Sequence, residues 1–480
     1  MLSLIPIIIG LGLTTNAFAE NILVPTWVKN TAGWWADDKI SETEFANAIE
    51  FLVNEGIIQT TVTYTDEKTS RTYNSIDEII NDKTLSYREA VLEVDKLFPY
   101  ITGYRGATFD GEAVYFAPYY NNHGRHAFMV KFDISKPFDN PNSWDAVNMA
   151  QDDPKSPQQH DLVGFQGALY NNQYVYFIPY FIDENELGSK ILRYNTESDF
   201  HNKKSWDWAG YFPSFEGGVV EKNFVYFSPH LDEKNKRSAV PVQYDTTKDF
   251  HDPNAWKMVR TQISASYIGA ASDGEKIYYA PYIEDNAYGI QITDKSTLLI
   301  YDTNKPFLER NSWETRSIPY GHYAGAGFNG THIVFAPFCN SISKEHIEDC
   351  SRVMFLEKNS QEINYSKKIN SAYSGVIETD NALYLVPRIN NENIRSDFIQ
   401  IKNSIETFSP NIGLGGYWGG TYDGRFVYFS PYDTPNSDVK NGEFLRYDTL
   451  QPFNNSDSWE SISLAMTDFR FDYKEESPNK

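Results

Sequence analysis

Cysteine is scarce in this chain: two in 480 residues, Cys339 and Cys350. A pair eleven apart cannot staple a framework of this size, so the fold must be held by its own packing. The pair reads as one local disulfide across a long loop of an exported chain, with two buried free thiols as the alternative. Positive charge is also short. Lys and Arg number 42 against 65 Asp and Glu, and the net charge is −23. An acidic surface repels phosphate backbones, which removes nucleic acid from the expected partners. Long apolar runs are missing beyond the first nineteen residues, so no transmembrane span is expected in the mature chain. Those nineteen, "MLSLIPIIIGLGLTTNAFA", have a short apolar core and end in Ala17-Phe18-Ala19. They read as a signal peptide cut after Ala19, with an uncleaved anchor as the alternative. The expected location is secreted, extracellular or at the cell surface. Asn329, Asn364 and Asn454 each open an Asn-X-Ser/Thr triplet, a glycosylation acceptor where the host has the machinery.

Aromatic residues are plentiful at 15%, and they recur in register. "FDGEAVYFAPYY" at 109–120 and "YDGRFVYFSPYD" at 422–433 are two copies of one phrase. Its proline falls at Pro118, Pro179, Pro229, Pro281, Pro337, Pro387 and Pro431. Twelve residues before each proline stands a glycine: Gly106, Gly167, Gly217, Gly269, Gly325, Gly375 and Gly419. Two before each glycine is an aromatic residue, from Tyr104 to Tyr417. Chance does not hold such a spacing seven times.

Each unit reads as four antiparallel strands. Asp110-Gly111 and its equivalents Asp273-Gly274, Asn329-Gly330 and Asp423-Gly424 are hairpin turns between the first two. A third strand ends in an Asp or Asn such as Asp302, expected to cap the following turn. A fourth starts at Trp144, Trp206, Trp256, Trp313 or Trp459, with a phenylalanine six residues earlier. Units five and six lack this Phe–Trp half. The expected fold is all-β: a seven-bladed β-propeller of four-stranded blades over 100–468, preceded by a small α-helical N-terminal region and followed by a tail at 469–480. The glycine permits seven innermost strands to converge, and the Trp and Phe wedge between blades.

The N-terminal piece differs. In 20–58, Ser41 and Glu44 form a capping box, Phe45, Ala48, Ile49, Leu52 and Val53 form an apolar stripe, and Gly56 stops the helix. This predicts a helical hairpin. "DDKISETEF" does not fit an EF-hand, because Gly33 and Trp35 would fall on ligand positions. Residues 59–99 read as a linker and a capped helix opened by Ser86 and Glu89. The pattern "AGWW.D.KIS..EF..AI.FL" over residues 24–58 resembles a small Trp-rich module of exported proteins of ammonia-oxidising archaea. The resemblance implies an exported archaeal protein and assigns no chemistry. The repeat phrase resembles uncharacterised secreted propeller repeats and matches neither kelch, WD40 nor the sialidase Asp-box.

Positions that repeat hold the fold, and positions that vary are free for function. The residue before each glycine varies completely: Arg105, Gln166, Glu216, Ile268, Ala324, Ser374 and Trp418. It begins the innermost strand, near the mouth of the axial channel. The polar members Arg105, Gln166, Glu216 and Trp418 come from neighbouring blades and form the candidate ligand site. Arg105 suits a carboxylate or sulfate, Glu216 suits sugar hydroxyls or a base role, and Trp418 suits stacking on a sugar. The alternative is that they fill the channel and pair with one another. His123, His126 and His160 are weaker, diffuse candidates for a metal site. No cofactor is expected beyond calcium held loosely in acidic loops such as "FIDENE". The leading expectation is a monomeric binding protein for a carbohydrate or a cell-surface protein. A hydrolase or lyase using Glu216 and Arg105 on a polysaccharide or lactone is the second reading, and an envelope scaffold the third.

Overall fold

A computed structural model describes residue 73 and residues 75–469, except 122, 150–161, 181–188, 232–238, 262, 285–295, 319–321, 339–350, 370–371, 391–393, 414 and 468. The expected signal peptide, helical hairpin, Cys339, Cys350 and His160 lie outside the described residues, as do most of the acidic loops and residues 470–480 of the tail.

The described chain is a seven-bladed β-propeller. Each blade is a four-stranded antiparallel sheet of strands in chain order, interrupted in blade 1 by a small ribbon, Tyr120–Asn121 paired with Gly124–Arg125. Blade 1 comprises Tyr104–Phe109, Ala113–Pro118, Phe128–Asp133 and Trp144–Asn148. Blade 7 comprises Gly416–Tyr422, Phe426–Asp433, Glu443–Asp448 and Trp459–Ser463. Among the described residues no strand is exchanged between blade 1 and blade 7, so the ring closes there by packing. Phe444 of blade 7 sits 4.8 Å from Phe116 and 4.9 Å from Trp144 of blade 1, ring to ring.

A helical segment reinforces that seam. Helix α1 (Ile76–Asn81) and helix α2 (Tyr87–Leu97) lead into blade 1. Ser86 and Glu89 make the expected capping box on α2. Ser75 caps α1 more simply, its side chain accepting from the Glu78 N–H. Ile79, Ala90 and Val94 pack on Ala465, in the turn that follows the last strand of blade 7. Asp95 of α2 is 2% exposed and accepts a 3.1 Å hydrogen bond from the Gly442 N–H. Burial pushes its carboxyl well above the usual range, and nearby Glu443 adds to this.

The glycines meet at the axis. A β-carbon on Gly106 would lie 2.8 Å from the Gly167 Cα, and one on Gly419 would lie 2.9 Å from the Gly106 Cα. The intervening glycines face one another in the same order, Gly217 on Gly269, Gly269 on Gly325 and Gly325 on Gly375. Six of the seven also hold positive φ; Gly375 does not. Only glycine meets both demands.

The second half of each blade behaves as its spacing predicts. In the five blades that carry it, the Trp indole N–H donates to the carbonyl of the phenylalanine six residues earlier, at 2.8–3.1 Å. The aromatic wedge crosses between blades: Tyr115 of blade 1 lies 5.7 Å from Tyr194 and 6.3 Å from Phe200 of blade 2. Asp302 Oδ1 accepts from the Asn304 N–H at 3.0 Å, and Asp133, Asp245 and Asp448 cap in the same way. Blades 5 and 6 keep a fourth strand without the tryptophan, at Ile363–Tyr365 and Ile405–Phe408. A backbone ladder needs no particular side chain. There Arg352 donates to the Ser366 carbonyl, and Arg395 to Ser409 Oγ. The proline ends the second strand in blades 1, 2, 5 and 6, whereas in blades 3, 4 and 7 that strand runs on to Leu231, Glu284 and Asp433.

Candidate functional site

The residue before the glycine owes its direction to a β-bulge. In blade 1, Tyr104 pairs with Pro118 and the next partners are Ala107 and Phe116. Three steps on the first strand oppose two on the second. The same slip occurs at the equivalent point of every blade. Arg105 and Gly106, and their equivalents, are the bulged residues. A bulge bends its strand and re-aims the extra side chain, here toward the other blades around the axis.

There the varied residues meet. Arg105 is 9% exposed, Glu216 4% and Trp418 6%. The Arg105 guanidinium lies 3.7 Å from the Trp418 ring centre, 4.0 Å from that of Tyr119 and 4.2 Å from that of Tyr432. It donates to Tyr432 Oη at 2.6 Å and faces Glu216 Oε1 at 3.8 Å. Burial works against the Arg105 charge, but the oxygens of Tyr432, Tyr119 and Glu216 more than offset it and push its pKa up. Burial raises the Glu216 carboxyl to about 7, against the pull of Arg105 and Arg388. Ser374 Oγ donates to the Tyr417 carbonyl at 2.8 Å, tying blade 6 to blade 7. Gln166 is 3% exposed, and neither end of its amide has a hydrogen-bond partner among the described residues.

A second ring of side chains covers the first, and sequence reasoning missed it. It is formed by the residue after each repeated proline: Tyr119, Tyr180, His230, Tyr282, Phe338, Arg388 and Tyr432. Its members form one cluster with Trp418, Ile268 and Ala324. His230 Nδ1 lies 3.1 Å from Glu216 Oε2, and its Nε2 lies 3.3 Å from Tyr180 Oη. The Tyr282 ring stacks on the same imidazole. Arg388 donates to Asp433 Oδ2 through Nε at 3.2 Å and Nη2 at 2.5 Å, and lies 4.5 Å over Trp418. Burial alone would raise the Asp433 carboxyl; Arg388 and Lys440 together hold it below its ordinary value. The position after the proline is Tyr in four of the seven blades, so the available signal was its exceptions, His230, Phe338 and Arg388.

Arg105, Glu216 and Trp418 are thus brought together, with Gln166 in the same ring of bulges. Their environment differs from the sequence expectation in one respect. Two guanidiniums already lie over the Trp418 ring, so a sugar stacking there must displace one. The guanidinium of Arg105 is similarly engaged by Tyr432 and Glu216. Among the described residues, no three His, Cys, Asp or Glu gather as metal ligands. The His123 ring stacks on Tyr100. The His126 ring is 5% exposed against the Gly103 carbonyl, and burial lowers its pKa to about 3. Asn329, Asn364 and Asn454 are all exposed.

No family model matches the chain, and no curated protein does. Among solved structures it is similar to that reported as the structure of YjhT, at 12% identity over 64% of this chain and 97% of that one, with a TM-score of 0.42. It is also similar to the RRP9 WD40 repeats, at 7% identity over 71% and 92%, with a TM-score of 0.46. The protein is defined by its fold, a seven-bladed β-propeller with a buried aromatic, ion-paired cluster beside the axial glycines. No described helix is long and apolar enough to cross a membrane.

Proposed function

We infer that the chain is an exported β-propeller binding protein that holds a carbohydrate or a surface protein at the channel mouth. One observation carries the reading. The one position that differs in all seven repeats, before the glycine, converges in space with the residues after the prolines, while the positions that repeat build the sheets and the axis. Variation gathered at one spot on a repetitive scaffold is what a specific site requires. Export is supported by the first nineteen residues, and a monomer by the closed ring. The local disulfide and the three glycosylation sites accompany that export.

A second reading is favoured by the row Glu216, His230, Tyr180. A carboxyl near 7 sits beside an imidazole whose other nitrogen faces a phenol. Such a row can move protons, and it keeps a hydrolase or lyase acting on a polysaccharide or lactone as the alternative.

The test is a thermal-shift screen of the purified protein and the Trp418→Ala/Glu216→Gln double variant against oligosaccharides, uronic acids, calcium and zinc. A ligand at a hundred times its Kd adds about 2.7 kcal/mol to stability. A shift present in the wild type and lost in the variant supports the reading. Shifts identical in both place the ligand elsewhere.

A further inference from the structure

Most of the charged groups of the mouth are matched, and one polar side chain is not. Toward blades 5, 6, 7 and 1, the charged groups are matched within the cluster. Arg388 holds Asp433, Asp433 also receives Lys440 at 3.1 Å, and Arg105 donates to Tyr432 beneath three aromatic rings. In blade 2 the matching fails. Gln166 is enclosed with both amide ends unpartnered among the described residues. Ser228 Oγ and Ser430 Oγ, each one residue before its blade's proline, are fully buried and unpartnered among the described residues in blades 3 and 7 alike, so Gln166 is what sets blade 2 apart. Buried polar groups are almost always hydrogen-bonded, and exceptions concentrate where a group has another use. The aromatic cover thins on the same side. Tyr180 and Tyr282 are only half-buried, whereas Tyr119, Phe338 and Tyr432 are buried.

A glutamine side chain presents an acceptor and two donors side by side. Its complement is a donor and an acceptor at the same spacing, as on two neighbouring hydroxyls of a sugar ring. Tyrosines suit the apolar C–H face of such a ring, because each is a flat apolar body with a polar tip. Charge separates the kinds of sugar. The groups around Glu216 are Arg105, Arg388 and His230, with the phenols of Tyr119 and Tyr180 nearby. Both arginines already serve Glu216 or Asp433. A second carboxylate entering here would face Glu216 without a guanidinium to spare.

We propose that the sector at blade 2 is a subsite for a neutral sugar ring, in which Gln166 bridges two adjacent hydroxyls, Tyr180 lies against the ring, and ionised Glu216 excludes carboxylated sugars. The proposal rests on the reading of the mouth as the ligand site. Because Gln166 is enclosed in the free protein, the entering sugar must displace part of the aromatic cover. Tyr180, half-exposed and next to the proline that opposes the blade 2 bulge, is the ring placed to move.

The experiment titrates the full protein with cello-, manno- and galacto-oligosaccharides and with oligogalacturonates, followed by tryptophan fluorescence and calorimetry. The variants are Gln166→Leu, Glu216→Gln and Trp418→Ala. A neutral oligosaccharide should bind the wild type, and Gln166→Leu should weaken it at least tenfold without lowering Tm. At pH 8, where Glu216 is ionised, oligogalacturonates should fail to bind the wild type and should bind Glu216→Gln. Neutral-sugar binding untouched by Gln166→Leu overturns the subsite, as does wild-type binding of oligogalacturonates equal to that of neutral sugars. In either case, loss of that binding in Trp418→Ala still keeps the mouth as a ligand site. Binding of no oligosaccharide at all overturns the subsite, and it overturns the carbohydrate form of the mouth reading with it.

Discussion

Each bulge sets two neighbouring residues side by side, one the same in all seven blades and one different in nearly all. The glycine is pressed against the glycine of the next blade, with no room for a β-carbon in most positions. The residue before it reaches into a cluster where arginine, glutamate, glutamine and tryptophan each do something different. The same backbone slip produces both. A bulge with a positive-φ glycine brings the strand to the axis and turns the preceding side chain toward the mouth. Constancy at one position therefore reports the fold, and diversity at the next reports what the fold is for.

The comparison breaks most visibly at the glycine. Gly325→Ala would place a β-carbon 2.6 Å from the Gly375 Cα on a residue with φ of +86°. The left-handed conformation and the overlap together should cost about 3–5 kcal/mol in denaturant unfolding. Next is Glu216→Gln, whose effect depends on pH. The folded carboxyl is raised from 4.5 to about 7, so the fold favours its protonated form. That stability is fully present below about 4.5 and is lost as pH rises through about 7, amounting to roughly 3 kcal/mol. The variant should match the wild type near pH 4.5 and exceed it at pH 8, read from unfolding curves at both. Arg105→Met keeps the packing but leaves Glu216 without its cation. It should cost about 2 kcal/mol at pH 8, and less at pH 5, where Glu216 takes up a proton. The smallest change is Gln166→Leu. Replacing an unpartnered buried amide by an apolar group should raise stability by less than about 1 kcal/mol. A large loss there would mean that Gln166 is structural and that the comparison between the two positions fails.

Much of the fold was legible because it is periodic. The Gly–Pro spacing gave the blade count, Asp-Gly gave the hairpins, and the Trp–Phe spacing gave a hydrogen bond that recurs in five blades. Ser86 with Glu89 announced α2, and Ser75 with Glu78 carried the same signal for α1. The site was half legible. Arg105, Glu216 and Trp418 were found because they break a pattern. His230, Arg388 and the tyrosines after the prolines were overlooked because a residue following proline looks like the start of a loop. Their role depends on the slip between strands, which sets them over the bulged residues, and no local sequence rule shows that slip. The fourth strands of blades 5 and 6 were also underrated, since a missing tryptophan removes a wedge but not a backbone ladder.

Thermal unfolding of Gly217→Ala beside Glu216→Gln, both at pH 5, tests the central claim most directly. The two residues are adjacent in one bulge, and at that pH Glu216 is largely protonated and close to glutamine in charge. A β-carbon on Gly217 would lie 2.9 Å from the Gly269 Cα. The account predicts that Gly217→Ala unfolds many degrees below the wild type while Glu216→Gln unfolds with it. Equal losses, or a larger loss for Glu216→Gln, would contradict the division of labour between the two positions.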